Sequence, residues 1–290
     1  MINSSLMNHE ARVVPSLSSL AALLERPLVV LDVGCRWGFE EKWKALGSQV
    51  QLIGFDADAA ECEALTHQSG DGVRYVAASL GAAPGPAKLF LTREPSCNSL
   101  YPPDPELIAE RPGLECTSLV STAEIELTTL DAWAAEAGVR SVDFLKLDTQ
   151  GSELDILRGA QQLLGSVRAL EVEVELNPLY RGQPLFGDVD RFLREHGFVL
   201  WRLGHLVHYG WPDGSSDVAV EDRQVFDAQA AQISARGGQL FWAHAYYVRR
   251  EIALGPYGGP RQTALRDACI AKVLGFDDLA AHALQTSQER

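Results

Sequence analysis

The chain has 290 residues, 46% hydrophobic and 22% charged, with a formal net charge of −14. That length holds one large α/β domain or two small ones, and the composition is that of an ordinary globular protein. The acidic excess excludes nucleic acid as the default partner, and no run nears the roughly 20 apolar residues of a membrane span.

Leu17, Leu20, Leu23 and Leu24 recur at helical spacing, so Ser16–Arg26 is expected to be a short helix, capped by Ser16 or Ser18 and stopped by Pro27. Leu28–Val33 is a continuous apolar run, as in a strand buried on both faces of a parallel sheet. Gly34 and Gly38 follow, then a helix to about Leu46. Val50–Phe55 is a second strand ending at Asp56 and Asp58, Ala59–Gln68 a helix, and Val73–Ala78 a third strand. This alternation predicts a right-handed, doubly wound, Rossmann-like α/β fold with a mostly parallel sheet.

Beyond Gly81 the pattern changes. Ala87–Thr92 and Glu124–Thr128 read as shorter strands around a segment rich in Pro and Ser, and residues 94–120 are expected to form a lid-like insertion. Parallel-sheet logic then resumes with a strand at Val142–Leu147, a helix at Glu153–Leu164 and a strand at Ala169–Leu176. A helix at Val189–His196 and strands at Phe198–Leu203 and Leu240–Arg249 follow. Ala264–Gln285 reads as helices, with Leu274 and Leu279 on an apolar face that caps the domain or mediates contacts in a homo-oligomer. The expected division is an N-terminal helical segment (1–27), a Rossmann-like domain (28–250) and a helical C-terminal extension (251–290).

The first strand runs into Asp32-Val33-Gly34-Cys35-Arg36-Trp37-Gly38, a D-x-G-x-x-x-G turn. Glycines there allow a sharp turn and close approach of a ligand, and ligands of open α/β sheets bind at the carboxyl ends of the strands. Asp32 can accept a hydrogen bond from a ligand's amino group. The bland alternative is a βα turn whose glycines serve only geometry. Asp56 ends the second strand, where an acidic residue can take two ribose hydroxyls. Asp58, just before Ala59, is the better helix cap. The pyrophosphate fingerprint G-x-G-x-x-G is absent, and Arg36 and Trp37 crowd the loop. A nicotinamide dinucleotide therefore fits poorly, and a nucleoside without phosphates, such as S-adenosylmethionine, fits better. Ala57 and Ser79 complete the expected cofactor-binding set with Asp32, Gly34, Gly38, Asp56 and Asp148.

Residues 143–160, Asp-Phe-Leu-Lys-Leu-Asp-Thr-Gln-Gly-Ser-Glu-Leu-Asp-Ile-Leu-Arg-Gly-Ala, resemble the FkbM family of methyltransferases. That family shows Lys-Ile-Asp-Val-Glu-Gly-x-Glu after a strand and a Gly-Ala further along; here Gln150 stands where Glu is usual. Thr129-Leu130-Asp131, Ala78-Ser79-Leu80-Gly81 and Asn98-Ser99-Leu100 resemble further family elements. At the first turn the family commonly has Ala-Asn where this chain has Cys35-Arg36. The resemblance spans about Leu28 to Leu203. It implies a class I methyltransferase sheet and methyl transfer from S-adenosylmethionine to an oxygen, often on a sugar, a glycan or a glycosylated small molecule.

Such a transfer needs a group that aligns an acceptor hydroxyl and takes its proton. Asp148, at the carboxyl end of the fourth strand, is the candidate base, acceptor or metal ligand; its alternative is a cap on the next helix or on the Thr149–Gly151 amides. Alternation puts Lys146 on the same face, as a catalytic group or as a structural ion pair with Asp148. Glu153 reads as structural at a helix start. Glu171, Glu173 and Glu175 share one strand face, which reads as partly exposed, or as paired with Arg168 and Lys146. Glu175 could join Asp148 around a divalent cation such as Mg, but two oxygen ligands do not make a site and the metal is not favoured. His205 and His208, among Trp201, Tyr209 and Trp211, could stack a sugar and supply a base, His205 being the catalytic candidate; edge packing is the plainer reading. Tyr180 and Arg181, after the fifth strand, and Asn98 are the candidate substrate contacts.

Residues 1–10 carry neither the basic nor the apolar stretch of a secretory leader. The cysteines Cys35, Cys62, Cys97, Cys116 and Cys269 form no C-x-x-C pair, so neither a disulfide framework nor a zinc site is expected. Together these point to the cytoplasm. Two rivals stand beside the methyltransferase reading: a non-catalytic cofactor-binding scaffold in a glycan-assembly complex, and a nicotinamide-dependent oxidoreductase.

Overall fold

A computed structural model of the chain describes residues 14–111, 113–209, 219–221 (backbone), 239–255 and 260–285. The expected leaderless stretch 1–10 and Trp211 of the aromatic cluster lie outside the described residues. The main sheet contains β1 (Leu28–Val33), β2 (Val50–Asp56), β3 (Val73–Ala77), β7 (Phe144–Leu147), β8 (Ala169–Glu175), β9 (Phe198–Tyr209), β10 (Ala219–Glu221) and β11 (Gln239–Arg249). Their order is β10-β9-β11-β8-β7-β1-β2-β3. From β3 to β8 every neighbour is parallel; β11, β9 and β10 are added antiparallel. A smaller sheet, β4 (Ser79–Leu80), β6 (Leu119–Thr128) and β5 (Gly85–Thr92), accounts for the change of pattern after Gly81.

Strand parity sorts the side chains between two layers. Leu31, Val33, Ile53, Phe55, Leu145, Leu147, Leu170, Val172 and Val174 face one hydrophobic cluster. It is shared with α5 (Leu130–Ala137), α6 (Glu153–Arg158), α7 (Gln161–Leu164) and α8 (Phe186–Glu195). Leu28, Val30, Val50, Leu52, Phe144, Ala169 and Val248 face the other. There they meet α1 (Leu17–Ala21), α2 (Glu41–Lys44), α10 (Arg261–Val273) and α11 (Asp277–Gln285). Asp32, Lys146, Asp148 and the three glutamates of β8 have this second parity, at the carboxyl ends of the strands.

The amino ends on that side are tied by ions. Arg26 and Arg266 both bond the buried Asp143, at 2.9 and 3.0 Å, and the Asp143 carboxylate also accepts from Val29 N. Helix α1 is shorter than its leucine spacing implies. Ser16 caps it as expected, but it ends at Ala21, and the chain then runs non-helically to carry Arg26 onto Asp143. On α10, every residue from Ala264 to Ala271 is buried against this chain's own sheet and α1. The C-terminal helix α10 thus packs on the body of its own chain.

The expected long helix at Glu153–Leu164 is broken into α6 and α7 at Gly159 and Ala160. Only glycine fits at the break: a Cβ on Gly159 would lie 2.2 Å from the Gly81 carbonyl oxygen. Asp131 N donates to Gly159 O at 3.0 Å, and the Asp131 carboxylate caps α7 through Gln162 N and Leu163 N, both 2.9 Å. The Thr-Leu-Asp and Gly-Ala elements of the sequence therefore meet to fix a helix junction, not to do chemistry.

Candidate active site

The strand order reverses between β1 and β7, and a cavity of about 760 Å³ opens at their carboxyl ends. This is where open α/β sheets place ligands, and the volume suits a small molecule. The β1 turn forms one wall. Gly34 has φ +84°, and a Cβ there would sit 1.8 Å from the Asp148 carbonyl oxygen. Its first task is therefore the close crossing of the β1 and β7 turns. Gly38 also needs a positive φ (+85°), but it faces the Tyr75 hydroxyl and is not a wall residue.

Val33, Gly34, Arg36, Trp37, Asp56 and Ala57 line this half of the cavity, with Ser79 and Leu80 beyond them. Asp56 ends β2 and accepts Asp58 N at 2.8 Å; burial raises its carboxyl above the usual range. Asp58 caps α3 (Ala59–Gln68) through Ala60 N and Glu61 N, and also pairs with Arg36 at 3.4 Å. The division of labour expected for the two aspartates holds for the cap. Asp32 is 6% exposed and stands behind the wall, 3.6 Å from Lys146 Nζ. Burial pushes Asp32 up to about 6 even though Lys146 opposes it.

The opposite half is acidic and assembled across strands. Lys146 Nζ is 3.3 Å from Asp148 Oδ2, so the lysine bridges two carboxylates and stays charged well above its usual range; burial opposes this and Asp32, Asp148 and Glu171 outweigh it. Burial likewise works against the ionised Asp148, but Lys146 and His244 bring its pKa below the usual value. Asp148 caps neither the helix nor the turn: Glu153 does the latter, accepting Thr149 N at 2.6 Å and Gly151 N at 3.2 Å.

Glu171, Glu173 and Glu175 are 3%, 4% and 2% exposed, which overturns the expectation of a partly exposed face. Nor does Arg168 pair with them; it bonds Asp267 and Glu251 at the amino ends of the strands. The antiparallel β11 lies beside β8 in the sheet and extends this face instead. It brings His244, whose Nδ1 lies 2.8 Å from Glu171 Oε1, while Lys42 approaches the same carboxylate at 3.5 Å. Burial would raise Glu171; the His244 hydrogen bond and Lys42 instead hold it down at about 2. Glu173 and Glu175 go the other way. Burial raises both, and the charge of Asp148 raises Glu173 further. Glu175 stands outside the cavity wall, and among the described residues no group of three His, Cys, Asp or Glu could hold a metal ion.

His244 is the residue that sequence reading missed. Its Nδ1–H points at Glu171, which leaves Nε2 facing the cavity, 3.9 Å from Asp148 Oδ2. The available signal was the alternation Trp242, His244, Tyr246, which β11 registers against Glu175, Glu173 and Glu171. His205 is in the wall, stacked on Trp242 at 5.3 Å and tilted against His244 at 5.1 Å. His208 is not in the wall.

The lid-like stretch holds α4 (Pro105–Glu110) between two 3₁₀ turns, and Pro95–Leu100, Cys116 and Thr117 border the cavity. Asn98 is in that border, its side-chain oxygen accepting Thr92 N at 2.8 Å. Tyr180 and Arg181 are not. Gln183 accepts Leu179 N and Tyr180 N and turns the segment inward, so Tyr180 is fully buried, its hydroxyl donating to Cys97 O and Gln150 Oε1. Arg181 points outward to Asp104 and Glu106.

Gln150 donates from Nε2 to Glu173 Oε2 at 2.7 Å. A glutamate in its place would set one more carboxyl against the β8 glutamates. Among the described residues, the non-glycines with positive φ are Trp37, Gln150 and His205, and all three border the cavity. Each such conformation costs on the order of 1 kcal/mol, and strain of this kind collects at functional sites.

Residues 50–200 match the Methyltransferase FkbM domain. The chain is 26% identical over 175 residues to the 2-O-methyltransferase NoeI of Sinorhizobium fredii (strain NBRC 101917 / NGR234), covering 57% of this chain and 70% of that protein. Among solved structures, a magnesium protoporphyrin IX methyltransferase of Synechocystis PCC 6803 is 12% identical, covering 80% of this chain and 77% of that one, with a TM-score of 0.35. An S-adenosylmethionine-dependent methyltransferase of Mesorhizobium loti is 13% identical, covering 80% and 96%, with a TM-score of 0.38. At such scores the fold reading rests on this chain's own strand order.

Proposed function

The chain belongs to the FkbM family of methyltransferases, and from that premise we propose that it methylates a hydroxyl oxygen of a sugar, glycan or glycosylated small molecule, with S-adenosylmethionine as donor. The observation that carries the reading is the cavity-facing His244, backed by the ionised Glu171 and beside Asp148, in the same cavity as the β1 turn and Asp56. The family relative is a 2-O-methyltransferase, which supports oxygen as the acceptor atom.

The residues present suit the donor. On this reading the ribose hydroxyls go to the Asp56 carboxylate, which borders the cavity together with Gly34, Ala57 and Ser79. Asp32 and Gly38 shape that turn from behind. When bound, the donor supplies an electrophilic methyl group.

On the acceptor side, His244 Nε2 takes the hydroxyl proton, and Glu171 at Nδ1 stabilises the imidazolium that results. Asp148, a weak base because its pKa is low, orients the hydroxyl by accepting its hydrogen bond. Lys146 fixes Asp148 and keeps it ionised. Trp242, His205 and Tyr209 offer a surface on which a sugar ring can stack, with Asn98 opposite. No step is assigned to a divalent cation. Among the described residues no helix is long and apolar enough to cross a membrane.

A direct test is calorimetry with S-adenosylhomocysteine and NAD, followed by transfer of labelled methyl from S-adenosylmethionine to a panel of glycans. Binding of the first nucleoside alone and label on a sugar oxygen are expected. NAD binding would favour the oxidoreductase; nucleoside binding with no transfer to any acceptor class would favour the scaffold.

A further inference from the structure

The sequence scatters its cysteines, but the fold brings two of them together on the cavity wall. Cys97 lies in the first 3₁₀ turn of the lid-like stretch and Cys116 in the second, and both border the cavity. The strands of chain that carry them are pinned side by side: Arg93 N donates to Ser118 O at 2.9 Å and Glu94 N to Cys116 O at 3.0 Å. The Cys116 thiol donates to Gly113 O at 3.6 Å, and each of the two thiols is a neighbour that shifts the ionisation of the other. Cys35, Cys62 and Cys269, by contrast, are fully buried in the body of the fold.

Nothing in the proposed methyl transfer uses this pair. We propose that Cys97 and Cys116 form a reversible oxidation site that reacts with a low-molecular-weight disulfide and closes the lid-like segment, at the cavity wall, into a covalent loop.

The environment sets the order of events. The neighbouring Cys97 lowers the Cys116 thiol to about 7, so a thiolate is present near neutral pH, while Cys116 and burial push Cys97 up. The Cys116 thiolate attacks one sulfur of glutathione disulfide, and one glutathione thiolate leaves. Cys97 then loses its proton to solvent and attacks the Cys116 sulfur, forming the protein disulfide and releasing the second glutathione. Two protein thiols are oxidised and one glutathione disulfide is reduced to two glutathiones, so atoms and electrons balance.

The staple would close the segment from Asn98 to Glu115 into a loop. It would also bear on the site, because Cys97 precedes Asn98 and Ser99, and Ser99 Oγ donates to Gln150 O at 2.6 Å, in the turn next to Asp148. This wall is therefore joined by a hydrogen bond to the acceptor half of the cavity.

The test needs no turnover. The intact protein is incubated with excess glutathione disulfide, alkylated and mapped by mass spectrometry. Expected are a loss of two hydrogens, a single cross-linked peptide joining Cys97 to Cys116, alkylation of Cys35, Cys62 and Cys269 after unfolding, and full reversal by dithiothreitol. Cys97→Ser should stop at a mixed disulfide on Cys116, and Cys116→Ser should react far more slowly. A stable mixed disulfide in the wild type, or a cross-link that involves a different cysteine, overturns the proposal. Because the readout is covalent mass, a failed methyltransferase assay leaves the oxidation site standing, and a failed cross-link leaves the methyltransferase reading standing.

Discussion

The two halves of the cavity are built in different ways. In the half formed by the β1 and β2 turns, several polar partners are close in sequence: Asp56 accepts from Asp58 N, Asp58 caps Ala60 N and Glu61 N, and Cys35 O accepts from Gly38 N. In the other half the partners come from separate strands: Lys146 and Asp148 from β7, Glu171 and Glu173 from β8, His244 from β11. The first half is fixed by backbone conformation. The second is fixed by which carboxyls keep their protons, a matter settled by burial and neighbouring charge.

The largest effect should come from breaking the seam between the halves. Gly34→Ala puts a methyl where the Asp148 carbonyl oxygen now lies, at 1.8 Å, in a backbone conformation that side chains resist. One turn must move away from the other, and urea unfolding should show a loss of about 3 kcal/mol. A loss too small to measure would mean that the seam is soft and that Gly34 serves a ligand only. A larger side chain at this position cannot isolate ligand contact from folding, because the first added carbon already collides.

Asp148→Asn tests the strand-assembled half alone. The shape survives and the charge that holds Lys146, His244 and Glu173 does not. Turnover on a competent acceptor should fall by about 10²-fold, while adenosylhomocysteine affinity changes little. Near-normal turnover would leave the proton transfer to His244 unaided and demote Asp148 to packing. The complementary change, Asp56→Ala, tests the locally built half. It should weaken adenosylhomocysteine by about 1.5–2 kcal/mol in calorimetry, the scale of a hydrogen bond to a charged group. Unchanged affinity in a folded variant would remove Asp56 from the nucleoside site.

The same contrast explains what could be read from the sequence. The parallel strands and the glycine turn were legible because apolar runs and turn residues act within a few positions. So was the cap at Asp58. The β8 glutamates misled because alternation usually separates a wet face from a dry one, whereas here distant residues bond the polar face: His244 and Lys42 at Glu171, and Gln150 at Glu173. Tyr180 and Arg181 misled because following a strand's carboxyl end does not fix direction; Gln183 turns the segment away from the cavity. His244 was invisible as a functional group because its partner Glu171 is set by sheet register, and register is not written in either strand alone.

The smallest effect concerns the one carboxyl of the β7 turn that is bonded locally yet titrated by burial. Glu153 accepts Thr149 N and Gly151 N, which favours the ionised form, but it is 2% exposed, and burial outweighs the amides and raises it from 4.5 to about 7. A raised acid pKa means that the folded state holds a proton the unfolded chain has already released. Its contribution to stability is therefore complete below pH 4.5 and is lost as pH rises through about 7. Glu153→Gln keeps an oxygen for the two amides and cannot ionise, so it escapes that loss. The melting temperature of the variant, compared with the wild type, should therefore climb as the pH is taken from the acid to the alkaline side of that window. A shift of a few degrees is expected, since about 1 kcal/mol moves the midpoint of a chain this size by roughly 2–4 °C. A difference that instead falls as pH rises would show that the turn amides win over burial, and that this carboxyl belongs with the locally determined half of the cavity.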